Sequence, residues 1–243
     1  MKILTLANRN AKEILRDPLT LFFGLGFPLV LLLLLSAIQS AIPVSLFEID
    51  HLTPGITVFG LSFMTLFSAT IISRDRSSSL LRRLYTAPLS PADFILGYTL
   101  PMIPISLAQC VICYIAAVFI GLTPSVNVLY ATLLIIPVSL LYISLGLLCG
   151  SALNDKQVGG ICGALLTNLS AWLSGVWFDL DLVGGAFKKI AYALPFVHSV
   201  ELERAAVSGS LDGAITHLLV VLAYAAVAFI AAVLIFLRRM KRV

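Results

Sequence analysis

The sequence predicts an all-α integral membrane protein with six transmembrane helices. Its 243 residues are 60% hydrophobic and 12% charged, about half the charged fraction of an ordinary soluble domain. The mean hydropathy is +1.04. Apolar stretches of about 20 residues, enough to cross the hydrocarbon of a bilayer, recur along the chain. Residues 1–243 are therefore predicted to form a single membrane domain.

Stretches without charge define the six spans. Residues 94–154 hold no charge and are too long for one crossing. The sequence GLTPSVN at 121–127 contains helix-breaking residues, so the stretch is divided there. The predicted spans are 19–42, 52–73, 94–120, 128–152, 157–177 and 213–237.

The basic residues predict the orientation. Thirteen of the 16 Lys and Arg fall on one side of the predicted spans, and the other three are Lys188, Lys189 and Arg204. Because loops rich in Lys and Arg stay in the cytoplasm, both termini are expected there and the protein in the cytoplasmic membrane. The same bias explains the net charge of +4 without a nucleic-acid partner.

Two segments are predicted to lie beside the spans. Residues 1–18 carry an apolar helical face with Arg9, Lys12, Glu13 and Arg16 elsewhere on the helix, which indicates an amphipathic helix at the inner membrane surface. The alternative is a short positive anchor with no role in gating. The apolar face consists of Ile3, Leu4, Ala7, Ala11, Ile14 and Leu15. Residues 178–212 contain partly apolar stretches that are too short to cross and are broken by glycine and proline. They predict outer re-entrant helices.

Little in the chain suggests catalysis. Ser174 and His217 allow an intramembrane serine protease as an alternative. Cys110 and Cys113 are expected to be small apolar fillers rather than metal ligands. No phosphate-binding loop is encoded, and no buried acid is expected in the span cores, which disfavours a proton- or sodium-driven antiporter.

A polar insert separates spans 2 and 3. It carries four of the 16 basic residues within SRDRSSSLLRRLYTAPLSPADFILG, residues 73–97. With the following YTLPMI, it resembles the signature of ABC-2 type transporter permeases. The pattern is matched by Arg74, Asp75, Arg76, Leu81, Arg83, Pro88, Ser90, Leu96, Gly97 and Pro101. The sequence departs from it at Ser79, Leu80, Arg82 and Tyr98; the last replaces a lysine.

A second stretch strengthens the resemblance. LSGVWFDLDLVGGAFKKIAYALPFVHSVELERAAVSG is similar to the end of span 5 and the outer region of the same family. Ser174, Gly175, Phe178, Pro195 and Arg204 match, and Asp179 replaces a proline. With the amphipathic start and the six spans, the resemblance covers nearly the whole chain.

The resemblance implies that the insert at 74–93 is a coupling helix that docks on an ATPase subunit. Serines 77–79 can cap this helix, leucines form its apolar face and arginines pair with acidic partner groups. The implied interface consists of Asp75, Arg76, Leu80, Leu81, Arg82, Arg83, Leu84 and Pro88. The alternative is a plain positive loop that binds anionic lipid.

The resemblance also implies a function. The expected role is the permease subunit of an ATP-driven exporter of a drug, antibiotic or antimicrobial peptide. Two ABC ATPase subunits would carry ATP and Mg²⁺, with no cofactor, metal or catalytic residue on this chain. A homodimer or a heterodimer with a second permease would enclose the pathway, for which the candidates are Gln109, Asn168, Trp172 and Trp177. Export of a polysaccharide or lipid-linked glycan is one alternative, and a membrane scaffold without transport is another.

Overall fold

The protein is helical, with short connecting turns and no strand, in the residues that its computed structural model describes, which are 2–43, 45, 47–78 and 91–240. The all-α class is therefore confirmed. The helices are α1 (Lys2–Leu15), α2 (Pro18–Ala41), α3 (Ile49–Ser77), α4 (Pro91–Thr99), α5 (Met102–Ile120), α6 (Val126–Ala152), α7 (155–173), α8 (Leu180–Val183), α9 (Gly185–Tyr192), α10 (Pro195–Ser208) and α11 (Leu211–Met240).

Five helical segments in the described residues are long and apolar enough to cross a membrane. They are Pro18–Ala41, Ile49–Ser77, Asp93–Ile120, Val126–Ala152 and Gly213–Arg238. They correspond to the predicted spans 1, 2, 3, 4 and 6. The predicted break at 121–127 is confirmed, because α5 ends at Ile120 and α6 begins at Val126. The orientation of the bundle stays a prediction.

The fifth predicted span corresponds to α7, which is more polar. Asn154 and Gln157 form a capping box at its start, and Asp155 and Lys156 occupy its first turn. A π-helical stretch covers Gly159–Leu166, and the helix ends at Leu173, before the predicted limit of 177. That α7 crosses the membrane stays a prediction.

The centre of the bundle is α3. In its most apolar window 89% of the residues are buried, against 17% for α2 and 22% for α11. Some of its buried polar side chains make hydrogen bonds within the helix. The Thr53 hydroxyl donates to the Ile49 carbonyl at 2.8 Å, and the Thr57 hydroxyl donates to the Thr53 carbonyl at 2.7 Å. A helix so enclosed contacts most of the bundle, so a displacement of either end would reach several neighbours.

Two glycines allow α3 and α6 to pack closely. A Cβ at Gly146 would lie 2.5 Å from the Thr65 carbonyl oxygen, and one at Gly150 would lie 2.7 Å from that of Ala69. The Thr65 hydroxyl crosses this contact and donates to the carbonyl of Tyr142 at 2.8 Å. Small residues spaced four apart let membrane helices approach at backbone distance.

The region 178–212 contains the three helices α8, α9 and α10, separated at the predicted glycine and proline breaks; that the region lies on the outer side stays a prediction. Gly184 and Gly185, with φ of 60° and 56°, separate α8 from α9, and Pro195 begins α10. However, α10 is largely buried among α3, α6 and α11, rather than lying on the bundle's surface. Its Glu203 is fully buried. The expectation of no buried acid, drawn from the spans alone, is therefore wrong for the bundle, because an outer helix inserts between the spans.

The N-terminal helix α1 is also present, but its packed face differs from the predicted one. Leu6, Ala7, Asn10 and Ile14 are buried, whereas Leu4 is 69% exposed. The face of α1 that packs on the bundle thus differs from the predicted apolar face, because it includes the buried Asn10. Part of the predicted apolar face is exposed and can contact lipid.

Candidate functional site

The end of α3 carries a buried carboxylate that holds two other helices. Asp75 is 4% exposed. The Arg9 guanidinium of α1 donates to both of its oxygens, with Nη2 to Oδ1 at 2.8 Å and Nη1 to Oδ2. The Tyr98 hydroxyl of α4 donates to Oδ2 at 2.8 Å. The hydrogen bond to Asp75 raises the pKa of Arg9 above its ordinary value, so the guanidinium stays charged.

A neighbouring contact fixes α1 against α4. Asn10 is fully buried, and its Nδ2 donates to the Gly97 carbonyl at 2.9 Å. Its Oδ1 accepts from Arg9 Nη1 at 2.9 Å. A Cβ at Gly97 would lie 2.6 Å from Leu6 Cδ2, so the glycine permits this close approach.

The same end of α3 also contacts α6 and α7. Arg76 Nη1 donates to the carbonyls of Gly150 and Leu153, the latter at 3.1 Å. These acceptors lie at the C-terminus of α6, where a cation is favoured by the helix dipole. The Ser73 hydroxyl donates to Asp155 Oδ1 at 3.2 Å, and Arg74 lies 3.9 Å from the same oxygen.

We name these residues the α3-end cluster: Arg9, Asn10, Ser73, Arg74, Asp75, Arg76, Tyr98 and Asp155. It joins α1, α4, α6 and α7 to the last turn of α3, immediately before residues 79–90. A force applied to that segment would therefore reach four helices at once.

Only two residues of the predicted ATPase interface lie in the described part of the chain. Asp75 and Arg76 belong to the α3-end cluster, and their observed contacts are within the chain. The other predicted residues lie outside the described part of the chain: Leu80, Leu81, Arg82, Arg83, Leu84 and Pro88. Their role in docking stays a prediction.

The predicted pathway residues occupy three different environments. Asn168 and Trp172, one turn apart on α7, are exposed, and Trp172 is 59% exposed. Gln109 is fully buried and donates to the Thr57 carbonyl at 3.2 Å. Trp177 is half-buried, with its ring 5.5 Å from that of Phe59. The structure thus brings together only Asn168 and Trp172 of the four.

A cavity of about 980 Å³ lies between α3, α8 and α10, at the end of the bundle predicted to face outward; we name it the outer cavity. Among the described side chains, five carboxylates and one arginine line it: Glu48, Asp50, Asp179, Asp181, Glu201 and Arg204. Aromatic rings from Trp177, Phe178 and Tyr192 complete part of the wall. The excess of carboxylates gives the cavity a negative potential.

Arg204 joins α10 to the turn that follows α7. Its Nη2 donates to the Gly175 carbonyl at 2.9 Å, and its Nη1 pairs with Glu201 at 3.0 Å. Gly175 has a φ of 72°, a conformation that favours glycine. Ser174, Gly175 and Arg204 are therefore neighbours in space, although 29 residues separate the last two.

The structure gives Ser174 and His217 separate partners. The Ser174 hydroxyl donates to the Ala171 carbonyl at 3.3 Å. His217 Nδ1 lies 2.8 Å from His198 Nδ1, and His198 Nε2 lies 3.0 Å from the Tyr192 carbonyl. A protease dyad requires the serine hydroxyl beside the imidazole, and these two residues do not form one here.

Four features of the structure escaped sequence reasoning. The Arg9–Asp75 pair joins residues 66 positions apart, and the buried Asn10 had no visible signal. Glu203 accepts from the Tyr114 hydroxyl at 3.3 Å through Oε2, while Oε1 has no hydrogen-bond partner within the described chain. The Gly146 and Gly150 contact had a signal, because two glycines four apart in an apolar run are typical of close helix packing.

A family model described as ABC-2 type transporter matches residues 1–207. The chain therefore belongs to the ABC-2 type transporter family, and the resemblance noted in its motifs is confirmed. Two curated proteins, both called "Putative transport permease ycf38", are each 34% identical to it over 129 residues; they come from Pyropia yezoensis and Porphyra purpurea. The matched part is 51% of this chain and 44% of either relative, so less than half of the relatives' length is matched.

Proposed function

We propose that this chain is the permease subunit of an ATP-driven exporter in the cytoplasmic membrane, with both termini in the cytoplasm. The α3-end cluster is the observation that carries the proposal. Directional hydrogen bonds in this cluster join α1, α4, α6 and α7 to the end of α3, which directly precedes the segment 79–90 in the sequence. Such a junction converts a push on one short segment into movement of several helices as a rigid body.

The energy source in this proposal is a separate ABC ATPase, present in two copies, that binds ATP and Mg²⁺. The chain encodes no phosphate-binding loop. The segment 79–90 combines leucines with Arg82 and Arg83, a composition suited to an apolar contact surrounded by charge pairs. Asp75 and Arg76 act indirectly here, by anchoring the docked segment to the bundle.

A second permease chain, identical or related, completes the pathway. On α7 the residues Gly160, Ala164, Asn168 and Trp172 follow one another four apart, and all are exposed. An asparagine facing lipid is costly, whereas small residues beside it favour a second helix. The exposed face of α7 therefore supports a pathway formed between two chains.

The cargo in this proposal is amphiphilic, and a drug, antibiotic or antimicrobial peptide is favoured. Carboxylates outnumber cations in the outer cavity, so a cationic cargo would be attracted there and an anionic one repelled. Export of a lipid-linked glycan is the second candidate, because the exposed Trp172 and the half-buried Trp177 could stack on sugar rings.

The docking segment can be tested by charge reversal. We expect Arg83→Glu and Leu84→Asp each to reduce copurification of the ATPase with the permease at least about tenfold, the effect of roughly 1.4 kcal/mol. The reason is that the first removes a charge pair and the second places a charge in an apolar contact. The measurement is the ratio of ATPase to permease after affinity purification from membranes.

The matched control is Arg238→Glu, which makes the same charge change at the end of α11. It should leave the ratio within about twofold of the unsubstituted chain, well below the tenfold effect. Normal copurification with both Arg83→Glu and Leu84→Asp would show that the ATPase docks elsewhere.

A further inference from the structure

A basic cavity of about 790 Å³ lies where α1 meets the start of α2. Its charged wall consists of Arg9, Lys12, Glu13, Arg16, Asp17 and Arg74. Four cations thus face two carboxylates, and the cavity has a positive excess. Arg9 and Arg74 also belong to the α3-end cluster, and none of the described residues proposed to contact the ATPase lines the cavity.

Both carboxylates already have partners. Glu13 pairs with Arg9 at 2.8 Å. Asp17 caps the first turn of α2, where Oδ1 accepts from the backbone of Leu19 at 3.1 Å and Oδ2 from the Thr20 hydroxyl at 2.9 Å. The Thr20 hydrogen bonds lower the pKa of Asp17, with a smaller effect from Arg74. Both carboxylates of the cavity wall are therefore already engaged in contacts within the chain.

Three of the cations have no strong ion pair with the described residues. Lys12 and Arg16 are exposed and make no ion pair with the described residues. Arg16 directly follows the last residue of α1, and its backbone N–H donates to the Lys12 carbonyl at 3.1 Å, so the two residues lie one turn apart and both line the cavity. Arg74 is 3.9 Å from Asp155, and both side chains are about half exposed, so that pair is weak.

The surroundings place this cavity at the depth of lipid head groups. Leu15, Leu19 and Phe22 next to it are 58%, 68% and 51% exposed. Leu19 and Phe22 belong to a helix that is long and apolar enough to span, so these side chains face acyl chains. Arg16 and Asp17 lie just beyond them, where the polar interface begins.

We propose that this cavity binds the phosphate of an anionic phospholipid, with acyl chains along Leu19 and Phe22. Lys12 of α1, Arg16 just after it and Arg74 of α3 supply the positive charge. Basic clusters on amphipathic helices beside a span are suited to anionic head groups. The bound lipid would bridge α1 and the last turn of α3, adding a contact across the Arg9–Asp75 pair.

The test uses the full chain in nanodiscs of phosphatidylglycerol and phosphatidylcholine at one to four. Lipids that stay bound after extraction into mild detergent are counted by native mass spectrometry. We expect phosphatidylglycerol to be retained in preference to phosphatidylcholine. Lys12→Gln and Arg16→Gln should each weaken that preference about fivefold, as expected for one basic residue at an anionic surface.

Arg238→Gln is the control, since it removes one exposed charge away from the cavity, and Arg16→Lys keeps the charge in place. Both should retain the preference. Equal loss in Arg238→Gln, or no preference in the unsubstituted chain, would overturn the proposal. Displacement of phosphatidylglycerol by millimolar inorganic phosphate would also overturn it, because the cavity would then be a site for free anions.

Discussion

Replacing Gly146 by leucine is expected to prevent the bundle from folding. The smaller change Gly146→Ala is expected to lower the free energy of unfolding of the protein by about 2 kcal/mol. A Cβ at this position would lie 2.5 Å from the Thr65 carbonyl oxygen and 2.7 Å from Ser68 Cβ. The first neighbour is backbone of the most buried helix, so it cannot move aside. Inserting even one carbon into such packing typically costs about 1–3 kcal/mol.

Gly213→Ala provides the matched control. Gly213 is also helical, and outside its own helical turn no atom of the described residues lies within 4 Å of the position that its Cβ would take. The free energy of unfolding of the Gly213→Ala variant should differ from that of the unsubstituted chain by less than about 0.5 kcal/mol. The measurement is a denaturant titration of the purified chain in detergent. Equal stability of Gly146→Ala and Gly213→Ala would contradict the close contact between α3 and α6.

Removing the Asp75 carboxylate is expected to have the second-largest effect. Asp75→Ala leaves the Arg9 guanidinium and the Tyr98 hydroxyl without their shared acceptor. Loss of one partner of a fully buried pair costs about 3–5 kcal/mol. Because the Arg9 side chain is 37% exposed, water compensates part of this loss, and we expect about 2 kcal/mol.

The comparison for this variant is Asp155→Ala. Its partner Arg74 is 3.9 Å away and both side chains are about half exposed, so the expected loss is below about 1 kcal/mol. Arg9→Ala combined with Asp75→Ala should cost clearly less than the two single losses together, because the two residues share one contact. Strict additivity would show that Arg9 and Asp75 do not interact.

Composition and helix breakers were enough to predict most of the helices. Charge-free runs located five helices that can span, and the GLTPSVN sequence located the end of α5 because Gly121 takes a φ of 135° there. Helix ends near charge were harder to predict. The charges of Arg74 and Asp75 suggested a loop, yet α3 continues to Ser77 because these side chains find partners on other helices.

The α3-end cluster could not be predicted from the sequence, although its motif was recognised. Arg9 had several acids within reach in principle, and only the packing of α1 on α4 selects Asp75. Tyr98 stood out only as a departure from the lysine of the family pattern. Its hydroxyl donates to Asp75 at 2.8 Å, so it supplies a hydrogen-bond donor as a lysine could.

Glu203 shows a different limit of sequence reasoning. The segment 178–212 was predicted to lie at the outer side, where an acid would be solvated. Its helix α10 instead inserts between spans, and Glu203 becomes fully buried beside Tyr114. A buried carboxyl is a candidate proton carrier in a membrane protein, so a proton-driven alternative has to be tested directly.

Transport by the purified chain in liposomes tests most directly whether a separate ATPase supplies the energy. The chain is reconstituted with and without a P-loop ATPase encoded in a neighbouring reading frame, and a fluorescent cationic amphiphile serves as cargo. We predict movement only when both the ATPase and ATP are present, with no transport under an imposed proton or sodium gradient alone. Gradient-driven movement by the lone chain, lost in Glu203→Gln, would contradict the role of an ATP-driven permease subunit.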